Sequence, residues 1–272
     1  MNKREQGQDY RNRVLSLLAV TGYATTRQVA KGIWKRCDIS ARKMAGRTLR
    51  RLLDERLIVS KRGGHGIIKL NNELIFALNA AGATEARRNG DPIVGDKEHG
   101  RDLIKNAHDH RTACNSVYLA WPSSVNIWSE LQVRGGESPV CSFRFPIEHD
   151  AYEEKYATKV PDLIAEAGNG RYEWIEVENS WRSGKDLEKL VLCMQEMFKQ
   201  GEGKGEIDCM HFVIAVPGAR TIAKRLKERL MLVVNSGEYR HIREISARII
   251  TKHIRVSELD PLTLRLIPIL DD

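Results

Sequence analysis

Lys159-Val160-Pro161-Asp162-Leu163-Ile164 and the later Ile175-Glu176-Val177-Glu178 hold the residue types best suited to chemistry in this chain. The first segment reads as an apolar strand bearing one aspartate. Gly168-Asn169-Gly170 supplies a tight turn, and the second segment reads as a strand bearing two glutamates. Side chains alternate along a strand, so Glu176 and Glu178 share one face while Ile175 and Val177 share the other. Carboxylates from adjacent strands form an oxygen-rich pocket suited to a hard divalent cation, Mg2+ or Mn2+. Neither Asp162 nor Glu176 has an obvious cationic neighbour in the sequence, and an ion would make their proximity favourable. The same spacing also fits a solvated hairpin, and residue types alone leave both readings open.

The elements that must position these acids follow from periodicity. A helix is expected from Arg101 to Trp121, ended by Pro122. A strand over 125–133 carries Glu130 beside Trp128, which makes Glu130 a further candidate for the acid site. A long loop from Gly135 to Ala157 is expected to border that site and to order on DNA or metal binding. Strands near 158–166 and 171–179 come next. In the helix after them Leu187, Leu190, Val191, Met194, Met197 and Phe198 share one face. A strand at His211–Val216, a helix at Ala219–Leu232 and extended segments near 247–256 and 262–269 complete the chain. This order predicts an α/β domain with a mixed sheet and helices on both sides.

The first 70 residues have a different character. They hold 17 Lys and Arg against 5 Asp and Glu, a net +12, which leaves −4 for the rest of a chain whose total is +8. A basic segment on a mildly acidic remainder suggests a nucleic-acid module joined to another kind of domain. Tyr10, Val14, Leu17 and Leu18 mark a first helix, ended by Gly22. Thr25-Thr26 starts a second through Ile33, and Ser40 is expected to cap a third with Ala45, Leu49, Leu52 and Leu53 inward. Leu57-Ile58-Val59, Gly63-Gly64-His65-Gly66 and Ile67-Ile68-Lys69-Leu70 read as a hairpin.

Three helices and a glycine-tipped hairpin resemble a winged helix-turn-helix domain over about residues 8 to 88. In that fold the third helix enters the major groove and the wing touches the backbone or minor groove. The resemblance therefore implies DNA contacts from Arg42, Lys43, Arg47 and Arg50 on the helix, and from Lys61, Arg62 and His65 on the wing. A solvated helix face is the plainer reading of the same charges. Arg50 and Arg51 can also pair with Asp54 and Glu55 at helical spacing. The turn-rich stretch ending at Gly100 divides the chain into a module at 1–90, a linker at 91–100 and a domain at 101–272.

Pro161-Asp162, thirteen residues and then Glu176-Val177-Glu178 resemble the PD-(D/E)xK nuclease motif. With Asn106-Ala107-His108-Asp109-His110-Arg111 and Trp128-Ser129-Glu130-Leu131, they are similar to the replication-relaxation family and to MobC-type relaxases of mobilizable plasmids. Those proteins join a winged helix to a restriction-endonuclease-like domain. The resemblance implies a metal-dependent, strand-specific nick at a plasmid transfer origin on double-stranded and locally single-stranded DNA, with accessory mobilization or coupling proteins as partners. Asp162, Glu176 and Glu178 would hold the metal, and Glu130 would complete the catalytic set. Glu178 stands where the motif has lysine, so Lys189 or Lys185 on the next helix is expected to approach the phosphate. The alternative is a non-catalytic replication or transcription regulator with a degenerate nuclease domain.

Other constellations carry less. His108-Asp109-His110 is not a metal pair, because residues two apart on a helix do not share a face. His110 is expected as a packed or hydrogen-bonded residue that can line the cleft. Tyr152 and Tyr156 have no adjacent base and read as packing or stacking groups. Five cysteines without CxxC spacing suit reduced thiols. No apolar run approaches the roughly 20 residues a membrane helix needs. The polar N-terminus lacks a secretory segment, so a cytoplasmic location is expected.

Overall fold

The computed structural model describes residues 2–62, 73–91, 100–105, 109–149, 154–168, 170–179, 184–198, 206–216, 220–224, 226–228 and 253–269. The chain is a mixed α/β protein. In its N-terminal part α1 (Lys3–Thr21), α2 (Thr26–Trp34) and α3 (Ile39–Asp54) pack around Val14, Leu15, Leu18, Val29, Ala45 and Leu49. Gly22 ends α1 at φ +76°, a conformation that favours glycine. Thr25 and Gln28 cap α2 reciprocally. Asp38, not Ser40, caps α3, accepting from the Ala41 amide. The inward stripe of α3 is as expected for Ala45, Leu49 and Leu52, with Leu53 half-buried.

The strand that pairs with β2 (Ile58–Arg62) is β3 (Leu74–Leu78), with β1 (Ala24–Thr25) on its other side. The expected partner, Ile67–Leu70, and the Gly63–Gly66 turn lie outside the described residues. Leu74-Ile75-Phe76-Ala77-Leu78 is apolar throughout. It is buried from Ile75 onward because α1, α2 and α4 (Ala80–Arg88) all contact β3.

The expected helix from Arg101 to Trp121 is described as α5 (Arg101–Lys105) and α6 (Asp109–Ala120). The intervening Asn106–His108 lie outside the described residues. The strand expected over 125–133 is only β4 (Ile127–Trp128), and Glu130 opens α7 (Glu130–Arg134) instead. Ser129 and Gln132 form a capping box that starts this helix, and backbone capping overrides the apolar strand pattern. The expected loop is mostly a hairpin, β5 (Phe143–His149) with β6 (Glu154–Lys159), bulged next to Pro146. Residues 150–153, with Tyr152, lie outside the description.

A six-stranded sheet runs β11-β10-β9-β8-β7-β4. Its strands are β7 (Leu163–Gly168), β8 (Arg171–Glu178), β9 (Ile207–Ile214), β10 (Ile254–Asp260) and β11 (Arg265–Pro268), besides β4. β7 and β8 are antiparallel, while β8, β9 and β10 are parallel. α8 (Gly184–Phe198) makes the crossover from β8 to β9, burying Leu190, Val191, Met194 and Met197. The side chains of Leu187 and Lys185 lie outside the described residues. Residues 220–224 and 226–228 are helical. Along β8, Trp174 packs with the α8 cluster, and Ile175 and Val177 pack with Ala113, Cys114 and Val117 of α6.

α6 also seams the two halves. Gln28 Nε2 donates to the Thr112 carbonyl and the Ser116 hydroxyl, both at 2.9 Å. Asn115 Nδ2 donates to the Tyr23 carbonyl at 2.9 Å, and Ser129 Oγ to the Val20 carbonyl at 2.7 Å. These polar groups are satisfied across the seam, which makes separating the halves costly.

Candidate active site and nucleic-acid face

The ladder pairs Leu163 with Ile175, so Asp162 stands one step beyond, opposite Glu176. The two acids thus meet on neighbouring strands, as their spacing predicts. Their surroundings differ from expectation. Both are buried, Asp162 at 8 % exposure and Glu176 at 2 %, and each has hydrogen-bonding partners from the chain itself, an ammonium on Glu176 and an imidazole on Asp162. Lys159 Nζ donates to Glu176 Oε2 at 2.8 Å, and Trp174 Nε1 to Oε1 at 2.7 Å. His110 Nε2 lies 2.9 Å from Asp162 Oδ1, and the Val177 amide donates to Oδ2 at 2.8 Å. Burial pushes the Asp162 carboxyl up, but His110 and the Val177 amide outweigh it and hold it below its ordinary value. The hydrogen bond to Asp162 raises the His110 pKa against its own burial. Internal compensation of this kind is what buried charges require, and it removes the argument that a metal must supply it.

A hard ion held by Asp162, Glu176 and Glu178 does not fit this arrangement. Among the described residues these three do not converge; the donor group that does is His110, Cys114 and Asp162. Glu178 is buried and lines a cavity of about 410 Å³ with His110, Lys159, Asn179, Asp186 and Lys189. Lys189 is exposed on its rim. Phe145 and Ala157 of the β5–β6 hairpin close one side, so this segment borders the site, as a paired hairpin.

Glu130 does not join the acid site. Arg111 Nε donates to one oxygen at 3.0 Å and Arg134 Nε to the other at 2.8 Å. Burial pushes its pKa up, and the two guanidinium groups pull it below the ordinary range. Its stabilising contribution is therefore full above the unfolded pKa, about 4.3, and fades as pH falls through the lower folded value. Glu130→Gln is expected to cost roughly 3 kcal/mol at neutral pH, the scale for breaking a buried pair. It should also flatten the acid limb of stability against pH, as measured by urea unfolding across that range.

A second buried row crosses β8, β9 and β10. His211 Nδ1 lies 3.1 Å from Glu173 Oε2, and Nε2 lies 2.9 Å from Ser257 Oγ. Arg255 also bonds Glu173, and Trp121 meets His211 edge-on. The connectivity is that of a nucleophilic triad. However, Ser257 is 4 % exposed in the middle of a strand, so the row serves as satisfied interior polarity.

On the N-terminal part, Arg42, Lys43, Arg47 and Arg50 line one groove of about 510 Å³ with Ile39, Gly46 and Leu74. Lys43, Arg47 and Arg50 are exposed and Arg42 is half-buried. Arg51 pairs with Glu55 at 2.7 Å. Arg62 is exposed at the end of β2, whereas Lys61 donates to the Lys105 carbonyl at 3.1 Å. His65 lies outside the described residues. Residue types assign no role to Lys159, Cys114 or Asn179. Only the one-turn spacing of His110 and Cys114 was a readable signal.

Among the described residues no helix is long and apolar enough to cross a membrane. No family model matches the chain, and no match is found to a curated protein or a solved structure.

Proposed function

We propose that the chain is a DNA-processing protein that grips duplex DNA with α3 and cleaves a phosphodiester in the cavity between β6, the end of β8 and α8. The observation that carries this reading is Lys159, which lines a cavity with Glu178 and Lys189 and bonds Glu176 of the strand-paired acids behind the cavity wall. Two ammonium groups attract and neutralise a phosphate there. Lys159 takes the part that the nuclease motif gives to the lysine missing at 178: it reaches the acid pair from β6 and offsets charge on the phosphorane. The N-terminal part is read as a winged helix, and the sheet with α6 and α8 as a PD-(D/E)xK-like domain. Following the resemblance to mobilization relaxases, the cleavage is a strand-specific nick at a plasmid transfer origin, in the cytoplasm, with mobilization proteins as partners.

A non-catalytic regulator is the second reading. It is favoured by the full engagement of Glu176 with Lys159 and Trp174, which leaves that carboxylate committed to the fold. The full-length protein should be incubated with supercoiled plasmid carrying a transfer origin, with Mg2+, Mn2+, Zn2+ or EDTA. Conversion to the open circle, lost in Lys159→Ala, is expected. Intact supercoils under every condition, together with tight DNA binding, would select the regulator.

A further inference from the structure

We infer that His110, Cys114 and Asp162 form a binding site for a first-row transition ion of the zinc class. The inference stands on this geometry alone and does not depend on whether the cavity cleaves DNA. His110 and Cys114 lie one helical turn apart on α6, on the same face. Asp162 reaches them from the start of β7. One nitrogen, one sulfur and one oxygen donor all lie within 4.8 Å of one another. His110 Nε2 is 3.6 Å from Cys114 Sγ and 2.9 Å from Asp162 Oδ1. A tetrahedral zinc ion sets its nitrogen and sulfur ligands about 3.6 Å apart and its nitrogen and oxygen ligands about 3.3 Å apart. The first separation is already met, and the second needs an opening of roughly 0.4 Å.

The groups around the donors support the same assignment. Asn179 Oδ1 lies 3.4 Å from His110 Nδ1, and the Val177 amide donates to Asp162 Oδ2. The far atom of each ligand is thereby occupied, and Nε2 and Oδ1 turn toward each other. Metal ligands are oriented in this way by their outer partners. The His110 side chain is 32 % exposed and lines the cavity, whereas Cys114 and Asp162 are buried, so the ion enters past His110. Three protein ligands leave the fourth position of a tetrahedral ion to water or another exogenous group. The nitrogen–sulfur–oxygen set favours zinc, cobalt or nickel over magnesium, which takes oxygen ligands in octahedral geometry. On loading, Nε2 and Sγ each release a proton to solvent and the direct His110–Asp162 contact gives way to the ion.

The test uses the reduced full-length chain titrated with Co2+ and read by absorption. One equivalent is expected to produce visible d–d bands of four-coordinate strength and a near-ultraviolet thiolate-to-cobalt charge-transfer band, both removed by Zn2+. Cys114→Ser should abolish the charge-transfer band. Asn179→Ala, at the cavity rim, should keep the band and weaken Co2+ binding about 10- to 100-fold; this variant decides the matter if Cys114→Ser fails to fold. No charge-transfer band in the wild type, an undiminished band in folded Cys114→Ser, or unchanged affinity in Asn179→Ala would overturn the site. Plasmid nicking in the same samples separates the two conclusions. The band without nicking keeps the ion site and overturns cleavage, and nicking without the band does the reverse.

Discussion

Lys159→Ala is expected to slow plasmid nicking by about 10²- to 10³-fold, the scale for removing one group aimed at developing charge. Lys159 Nζ sits 2.8 Å from Glu176 and on the cavity wall, so its loss also strips a 2 % exposed carboxylate of its ammonium partner. That second effect costs stability, roughly 3 kcal/mol for a buried pair broken on one side. Lys159→Ala combined with Glu176→Gln separates the two effects. The double variant removes both charges and should regain most of the stability in urea unfolding, because no uncompensated ion remains. It should not regain nicking, since the ammonium that offsets charge on the phosphorane is gone and Lys189 remains only on the rim. If nicking returned together with stability, Lys159 would have only a folding role. Lys159→Arg should retain the fold with reduced rate, because a planar guanidinium does not replace an ammonium point charge.

The other large effect lies on α3. Replacing Arg42, Arg47 and Arg50 together with Ala removes three cations from one groove. Each lost phosphate contact lowers the slope of log affinity against log salt by about 0.9, so a reduction of roughly 2 to 3 is expected. The weakening should be nearly uniform across DNA sequences where the contacts are to the backbone. Anisotropy titrations of labelled duplex between low and moderate salt measure both quantities. Arg51→Ala serves as the control on the same helix, because Arg51 is already paired with Glu55. A triple variant with unchanged slope would remove DNA from this face.

Much of the chain was legible before folding. The stripe of α3, the capped start of α2, the Gly22 stop and the amphipathic α8 follow from helical period and capping, which are local. The antiparallel meeting of Asp162 and Glu176 was legible as well, because one short turn fixes the register of the strands it joins. Where the reading failed, two local signals competed. Trp128-Ser129-Glu130-Leu131 carries apolar residues like a strand, yet Ser129 and Gln132 satisfy the first amides of a helix. The β5–β6 hairpin is not legible in the sequence because Pro146 and the adjacent bulge interrupt its alternation.

By itself, then, the sequence determined the local elements, the polarity of each helix face, the concentration of positive charge in the first 70 residues and the pairing of two acids across a turn. Only the tertiary structure decided who compensates those acids. Lys159 reaches Glu176 from a strand of a separate two-stranded sheet, and His110 reaches Asp162 from a helix more than 50 positions earlier. It also decided that Glu130 is held between two arginines, and that Gln28 and Asn115 join the two halves through α6. The physical reason is distance along the chain. Period and capping act within a few residues, whereas the desolvation of a carboxylate and the partner that offsets it are set by whatever surface packing brings within about 3 Å.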